Sequence, residues 1–160
     1  MKYIKYLWYL IRHKWFVVIE CFNEGLIWQG LVHDFNKFRW DSFKCYSDFM
    51  DSKRFTTSIP EGLYARTGSR EMNKVWLRHR KTNKHHWQYY YYGRKEPMEM
   101  EYEYIMEMIC DWKGAIRGHN REVKVWDWYM ANRDSMILHP DTRIWTDFLM
   151  LVMKEDENTK

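Results

Sequence analysis

An all-α fold, a compact single-domain helical bundle, is what this sequence predicts, and three observations predict it. Apolar residues recur at spacings of three and four over most of the chain, the period of an amphipathic helix. No pair of alternating runs joined by a short Gly-containing turn marks a β-hairpin, and no segment repeats internally. The 160 residues suffice for one substantial core and fall short of two ordinary domains. We read residues 1–153 as that domain and 154–160 as a flexible C-terminal tail.

The first helix is long. Ile4, Trp8, Ile11, Trp15, Val18 and Phe22 alternate spacings of four and three, which predicts its buried stripe and an end near Gly25. A second helix is expected from about Leu26 through Leu31 and Val32 into His33 and Asp34, and a third from Asp41 towards Met50. Between Asp51 and Arg70 the periodicity lapses into Ser, Thr, Pro and Gly, which predicts a loop long enough to close over a substrate. Helical spacing resumes near Glu71 and leads to His79, His85, His86 and Trp87, then to Tyr89–Tyr92, whose rings would alternate sides if extended, and a turn at Gly93. Pro97 suits the first turn of the next helix, on which Tyr102, Ile105, Ile109 and Trp112 form a stripe; Gly114 and Gly118 are expected to break it. Val123–Met130 supplies another short helical stretch, and Asp141 is expected to cap a last helix from Thr142 to Met153.

Composition narrows the function classes. With 46% hydrophobic and 30% charged residues the chain is neither disordered nor low-complexity. Ten Trp, twelve Tyr and eight Phe either fill a core or build stacking surfaces, and composition does not separate the two. A net charge of +4 falls short of a dedicated nucleic-acid-binding domain, so an anionic ligand is allowed and stable duplex binding is not expected. Cys21, Cys45 and Cys110 are widely spaced, as free thiols of a reducing compartment would be. Lys2, Lys5, Arg12 and Lys14 interrupt any signal-peptide core, and Glu20, Glu24 and Gln29 interrupt any span between Trp15 and Val32. The expectation is a cytoplasmic protein without a membrane segment.

Five of the seven histidines carry the chemical signal. His13 lies on the first helix, His33 and Asp34 adjoin at the end of the second, His79, His85 and His86 follow, and Asp111 comes last. Imidazole and carboxylate are ligands for divalent cations, and helical bundles gather such ligands from several helices. His79 and His86 are two helical turns apart, so a shared helix face is expected. The alternative for any one of them is a surface or satisfied core histidine. Lys37, three residues beyond Asp34, sets a cation beside the carboxylate ligands.

His13, His33-Asp34 and Asp111 on an all-helical chain resemble the metal-binding signature of the HD-domain superfamily of metal-dependent phosphohydrolases. His33-Asp34-Phe35-Asn36-Lys37 resembles the His-Asp-x-x-Lys version of its cyclic-dinucleotide phosphodiesterases, although their Gly-Tyr-Pro element is missing. Ile27–Gly30, His33–Phe38, Asn83–Gln88, Asp111–Ala115 and Met136–Pro140 are similar to segments of short, functionally uncharacterised proteins of phages and Gram-positive bacteria.

The resemblance implies one or two divalent ions (Mn, Fe, Zn, Ni, Co or Mg) held by His13, His33, Asp34 and Asp111 with help from His79, His85 and His86. Asp34 would bridge, and Asp34 and Lys37 would be catalytic. It implies hydrolysis of a nucleotide, a cyclic nucleotide or a short oligonucleotide signal, in the host cytoplasm and against host defence signals or nucleotide pools if the chain is phage-encoded. Lys37, Arg117 and Lys84 would hold phosphate, with Arg78 and Arg80 as further candidates, and Trp87 and Trp112 would stack on a base. For each of these the alternative is a solvated helix face or core packing. An HD-type di-iron oxygenase and a non-catalytic nucleotide- or protein-binding module share the ligand set, and a homo-oligomer is compatible with all three.

Overall fold

Two long helices organise the chain. In the computed structural model, which describes residues 1–51, 69–119 and 122–158, α1 (Lys2–Asn23) packs along α6 (Tyr102–Gly118) in the most extensive contact of the fold. Around this pair lie α2 (Ile27–Val32), α3 (Trp40–Asp51), α4 (Arg70–Thr82), α5 (Trp87–Tyr91), α7 (Val125–Asn132) and α8 (Pro140–Asn158), with 3-10 turns at Phe35–Phe38 and Arg133–Ser135. No strand occurs among the described residues, so the chain is all-helical as predicted. Most of the loop predicted between Asp51 and Arg70 falls on 52–68, outside the described residues; at its ends Asp51 closes α3, Ser69 caps α4 and Arg70 opens it.

Side-chain volume explains the central contact. A methyl group on Gly114 would meet Val17 Cγ2 at 2.4 Å and the Val17 backbone nitrogen at 2.9 Å, and one on Gly118 would touch His13 Cα at 3.4 Å. The two glycines, one turn apart, form a groove into which the α1 backbone settles. They do not break α6, which runs through Gly114 to Gly118; burial against α1 outweighs their low helix propensity of about 1 kcal/mol each. Gly30 acts likewise for α2, where an added Cβ would come within 2.9 Å of Cys21 Cβ.

The face of α1 that turns inward is not the predicted one. Tyr6, Leu10, His13, Val17, Glu20 and Cys21 are buried, whereas Ile4, Trp8 and Trp15 are 62%, 69% and 62% exposed and Ile11 and Phe22 are exposed too. Both stripes have helical spacing, so periodicity could not choose. The inner one carries the smaller cross-section that the glycine groove admits, together with His13.

The buried apolar residues form one large core and two smaller clusters. The main core joins α5 to α8 through residues such as Ile105, Ile109, Trp112, Tyr129 and Met150. A second joins α1, α3 and α4 through Tyr6, Leu10, Tyr46, Phe49, Met72 and Val75. Val17, Cys21 and Cys110 seal the α1–α6 contact, and all three cysteines are free thiols.

Several boundaries differ from expectation for local reasons. Pro97 precedes α6 by several residues, in a segment where Met100 N–H donates to Thr142 Oγ1 at 2.9 Å and so ties the chain to α8 instead of starting a helix. Pro140, whose missing N–H costs nothing at a first helical position, opens α8; Asp141 therefore sits inside the first turn. That helix continues to Asn158, through most of the predicted tail. Tyr89–Tyr91 form a helical turn, with Tyr90 buried and bonded to Glu101 Oε2 at 2.6 Å. Among the described residues no helix is long and apolar enough to cross a membrane.

Candidate metal centre

The His33-Asp34 pair is positioned by how α1 and α2 end. Gly25, at φ 74°, turns the chain after α1, with Leu26 N–H on Cys21 O at 2.8 Å. α2 then stops at Val32, short of the predicted His33 and Asp34: His33 leaves the helical region at ψ 128°, and Asp34 follows in a left-handed conformation at φ 55°. Asp is among the few non-glycine residues that adopt it readily. The Lys14 ammonium on α1 receives the freed carbonyls, donating to Gly30 O at 3.2 Å and to Leu31 O and His33 O at 2.7 Å each. The 3-10 turn that follows brings Asn36 and Lys37 back towards the pair.

From the other side, Ser69 caps α4 by accepting Met72 N–H at 3.1 Å, and Met72, Val75 and His79 line its inner face. His79 and His86 do not share a helix. α4 ends at Thr82, and the turn of Asn83 to His86 folds back so that the two Nε2 atoms lie 2.8 Å apart.

All seven predicted ligands converge. His13 Nε2 lies 3.1 Å from Asp111 Oδ1 and 3.7 Å from Asp34 Oδ2, and His33 Nε2 lies 3.3 Å and 3.4 Å from the same two oxygens. The second carboxylate oxygen of Asp34, Oδ1, lies 3.2 Å from His79 Nε2 and 3.4 Å from His85 Nε2. His13, His33, Asp34 and Asp111 thus form one set, and Asp34, His79, His85 and His86 a second, with Asp34 giving one oxygen to each.

The residues fit a cation on two grounds. Ligands at about 2.0–2.2 Å from a cation in tetrahedral or octahedral array stand about 3–3.6 Å from one another, which these separations match. Moreover, His13 Nε2, His33 Nε2, His85 Nε2 and both Asp34 oxygens are fully buried yet make no hydrogen bond of proper geometry. Such buried, unmatched nitrogens and oxygens at contact distance from one another are costly unless a further group satisfies them. The buried His/Asp groups could therefore hold a metal ion.

The electrostatics are those of a crowded, dry cluster. Burial by itself would raise Asp34 and Asp111, but Lys37 and His33 beside the first, and His33 and His13 beside the second, hold both carboxyls well below the usual range. Burial would depress His33, yet the pull of Asp34 and Asp111 carries it well above its ordinary value. His79 falls to about 3 and His86 falls well below normal, mainly through burial, so both offer neutral nitrogen lone pairs. Lys37 pairs with Asp34 Oδ2 and lies 5.7 Å from the centre of the Tyr46 ring.

Residues outside the predicted set complete the surroundings. Glu107, one turn before Asp111 on α6, has Oε1 at 2.9 Å from His33 Nδ1 and 3.0 Å from His85 Nδ1. Asn36 Oδ1 lies 3.0 Å from His79 Nδ1. The i, i+4 spacing of Glu107 to Asp111 puts both on one helix face, the signal that could have found it.

The predicted substrate contacts are placed differently. Arg117 pairs with buried Glu20 and lies 4.4 Å over the Phe16 ring, tying α6 to α1 together with Lys113, 2.5 Å from Glu20. Lys84 meets Glu101 at 3.3 Å, and Arg78 meets Asp41 at 2.6 Å. Arg80 lies 5.2 Å over Trp76. Trp87 and Trp112 are buried in the main core, Trp112 stacked on Tyr129 at 5.7 Å, so both rings serve packing.

No curated protein and no solved structure matches the chain. A family model does, over residues 2–150, a span that includes every ligand of both sets. The chain therefore belongs to a family of unknown function, DUF5662.

Proposed function

We propose that the protein is a metal-dependent phosphohydrolase acting on a nucleotide or another phosphate ester, with two cations side by side. The observation that carries this reading is the Asp34 carboxylate, which offers one oxygen to each of two buried ligand sets. Cations held by His13, His33, Asp34 and Asp111 and by Asp34, His79, His85 and His86 would supply an activated water near neutral pH and offset charge on phosphoryl oxygens. Asp34, Asp111 and Glu107 bring three buried carboxylates to a place where Lys37 supplies a permanent positive charge, and divalent cations would offset the excess.

Within the chain, Asp34 would give one oxygen to each cation position, and Asp111 would join His13 and His33 in holding the first. Lys37 is the basic residue of the predicted substrate set that reaches the cluster, and as a compact point charge it suits a phosphoryl oxygen. Arg117 and Lys84 act through their carboxylate partners as structural ties instead. A cytoplasmic location belongs to this reading, with the host cytoplasm as its place and host defence signals or nucleotide pools as its targets if the chain is phage-encoded.

The test joins elemental analysis to a hydrolysis screen over mono-, di- and cyclic nucleotides, comparing wild type with Asp34→Asn. Asparagine also tolerates the left-handed backbone, so the variant should fold while losing both metal and hydrolysis. Full hydrolysis by the variant would overturn the proposal. Iron with a mixed-valent spectrum and no hydrolysis would move the assignment to an oxygenase on the same ligands.

A further inference from the structure

We propose that Glu107 is the positioning residue common to both cation positions, an inference that rests on the two-cation reading above. His33 belongs to one ligand set and His85 to the other, and the two imidazoles stand side by side with ring centres 4.3 Å apart. An imidazole has two nitrogens. In both residues Nε2 faces Asp34, at 3.4 Å in each case, while Nδ1 faces a single oxygen, Glu107 Oε1, at 2.9 Å and 3.0 Å. A carboxylate has no proton to give, so both Nδ1 atoms donate to it, and when a cation displaces the other proton the lone pair of each neutral ring is left on Nε2.

One oxygen atom thereby sets tautomer and ring orientation in both sets at once. Other buried histidines of the cluster have separate arrangements: His79 Nδ1 turns to Asn36, and His13 stacks beside Tyr9 with ring centres 6.0 Å apart. Glu107 is itself 5% exposed and carried on α6 one turn from Asp111, so its position is fixed by the same helix that supplies a ligand. The group His33, His85 and Glu107 also meets the spacing for a cation of its own. With cations also on both Nε2 atoms, that arrangement would require each imidazole to bind cations through both nitrogens as an imidazolate, at the cost of the proton that the hydrogen bond to Glu107 keeps. Partners of this kind commonly change metal affinity by 10–100-fold when removed.

The experiment titrates Zn2+ into chelator-stripped full-length protein, following heat and bound metal in wild type, Glu107→Ala, Glu107→Gln and His86→Ala. Wild type should take up two equivalents. Glu107→Ala should weaken both, each by about 10–100-fold, whereas His86→Ala should weaken one. Glu107→Gln keeps an acceptor oxygen without its charge and should fall between wild type and alanine. If Glu107→Ala weakened one equivalent alone or neither, the positioning role would be overturned while the two-cation reading stood. A third equivalent lost with Glu107 would make it a ligand and also overturn the role. Uptake of no Zn2+ by wild type would sink the two-cation reading itself. Should alanine unfold the chain, nitrogen NMR of the imidazoles in Zn2+-loaded wild type and Glu107→Gln decides: a proton on Nδ1 with Zn2+ on Nε2 in both His33 and His85 supports the role, and Zn2+ on Nδ1 or a proton on Nε2 of either refutes it.

Discussion

Lys14 holds the ligand turn from outside the cluster. Its ammonium meets three carbonyls at the end of α2, one of them that of His33, and is partly buried, which lowers its pKa through desolvation. Charged hydrogen bonds of this kind contribute about 1.5–3 kcal/mol each in favourable settings, and a buried carbonyl left unmatched costs about as much. Lys14→Met should therefore cost about 2–3 kcal/mol in urea unfolding and speed hydrogen exchange at the amides of His33 and Asp34. Unchanged exchange there would show that Asp34 holds its left-handed conformation without help. The sequence shows Lys14 only as one more charge on a basic segment, because a C-terminal cap supplied from another helix leaves no local pattern. His33, Asp34 and Lys37 were legible for the opposite reason: their chemistry lies in residue type and short spacing.

At the scale of elements, the α1–α6 contact governs where His13 stands relative to Asp111. Gly114→Ala would drive a methyl group into the Val17 side chain and backbone, and overpacking of this kind costs about 1–3 kcal/mol, only partly offset by the helix propensity gained. It should also weaken Zn2+ binding at the set containing His13 more than at the set containing His86. Gly118→Ala meets ordinary contact distances and should be near neutral in thermal unfolding. Equal effects of the two substitutions would argue against the groove as the positioning feature. These glycines read as helix breakers because their cost is local while their benefit depends on a helix far away in sequence. The inward face of α1 was hidden for a related reason: two apolar stripes of equal periodicity are separated only by the surface they meet.

Across the whole molecule, acid stability depends on carboxylates whose partners lie on other helices. Asp147 on α8 accepts Arg133 through both oxygens, at 2.8 Å and 2.6 Å, and Tyr129 at 2.5 Å. The Arg133 bonds chiefly, with Tyr129 adding to them against burial, hold its carboxyl below the usual range. Since the folded state ionises more readily than the unfolded chain, this contribution is complete above about pH 4 and is lost as pH falls through the lower folded value. The stability gap between wild type and Asp147→Asn should thus stay level from about pH 7 to about pH 5 and narrow as pH falls below about 4 in urea titrations, and a gap constant down to about pH 2 would contradict it. The all-helical class and the seven His and Asp residues that cluster were legible in the sequence, while the long-range ties were not. One of those ties also sets a timetable for synthesis. Glu20 and Arg117 are 97 residues apart, so at about 5–20 residues per second α1 leaves the ribosome about 5–20 s before the helix that covers it. During that interval the part of its inner face around Val17 and Cys21 waits for Cys110 and the α6 glycines, while α3 can already cover Tyr6 and Leu10.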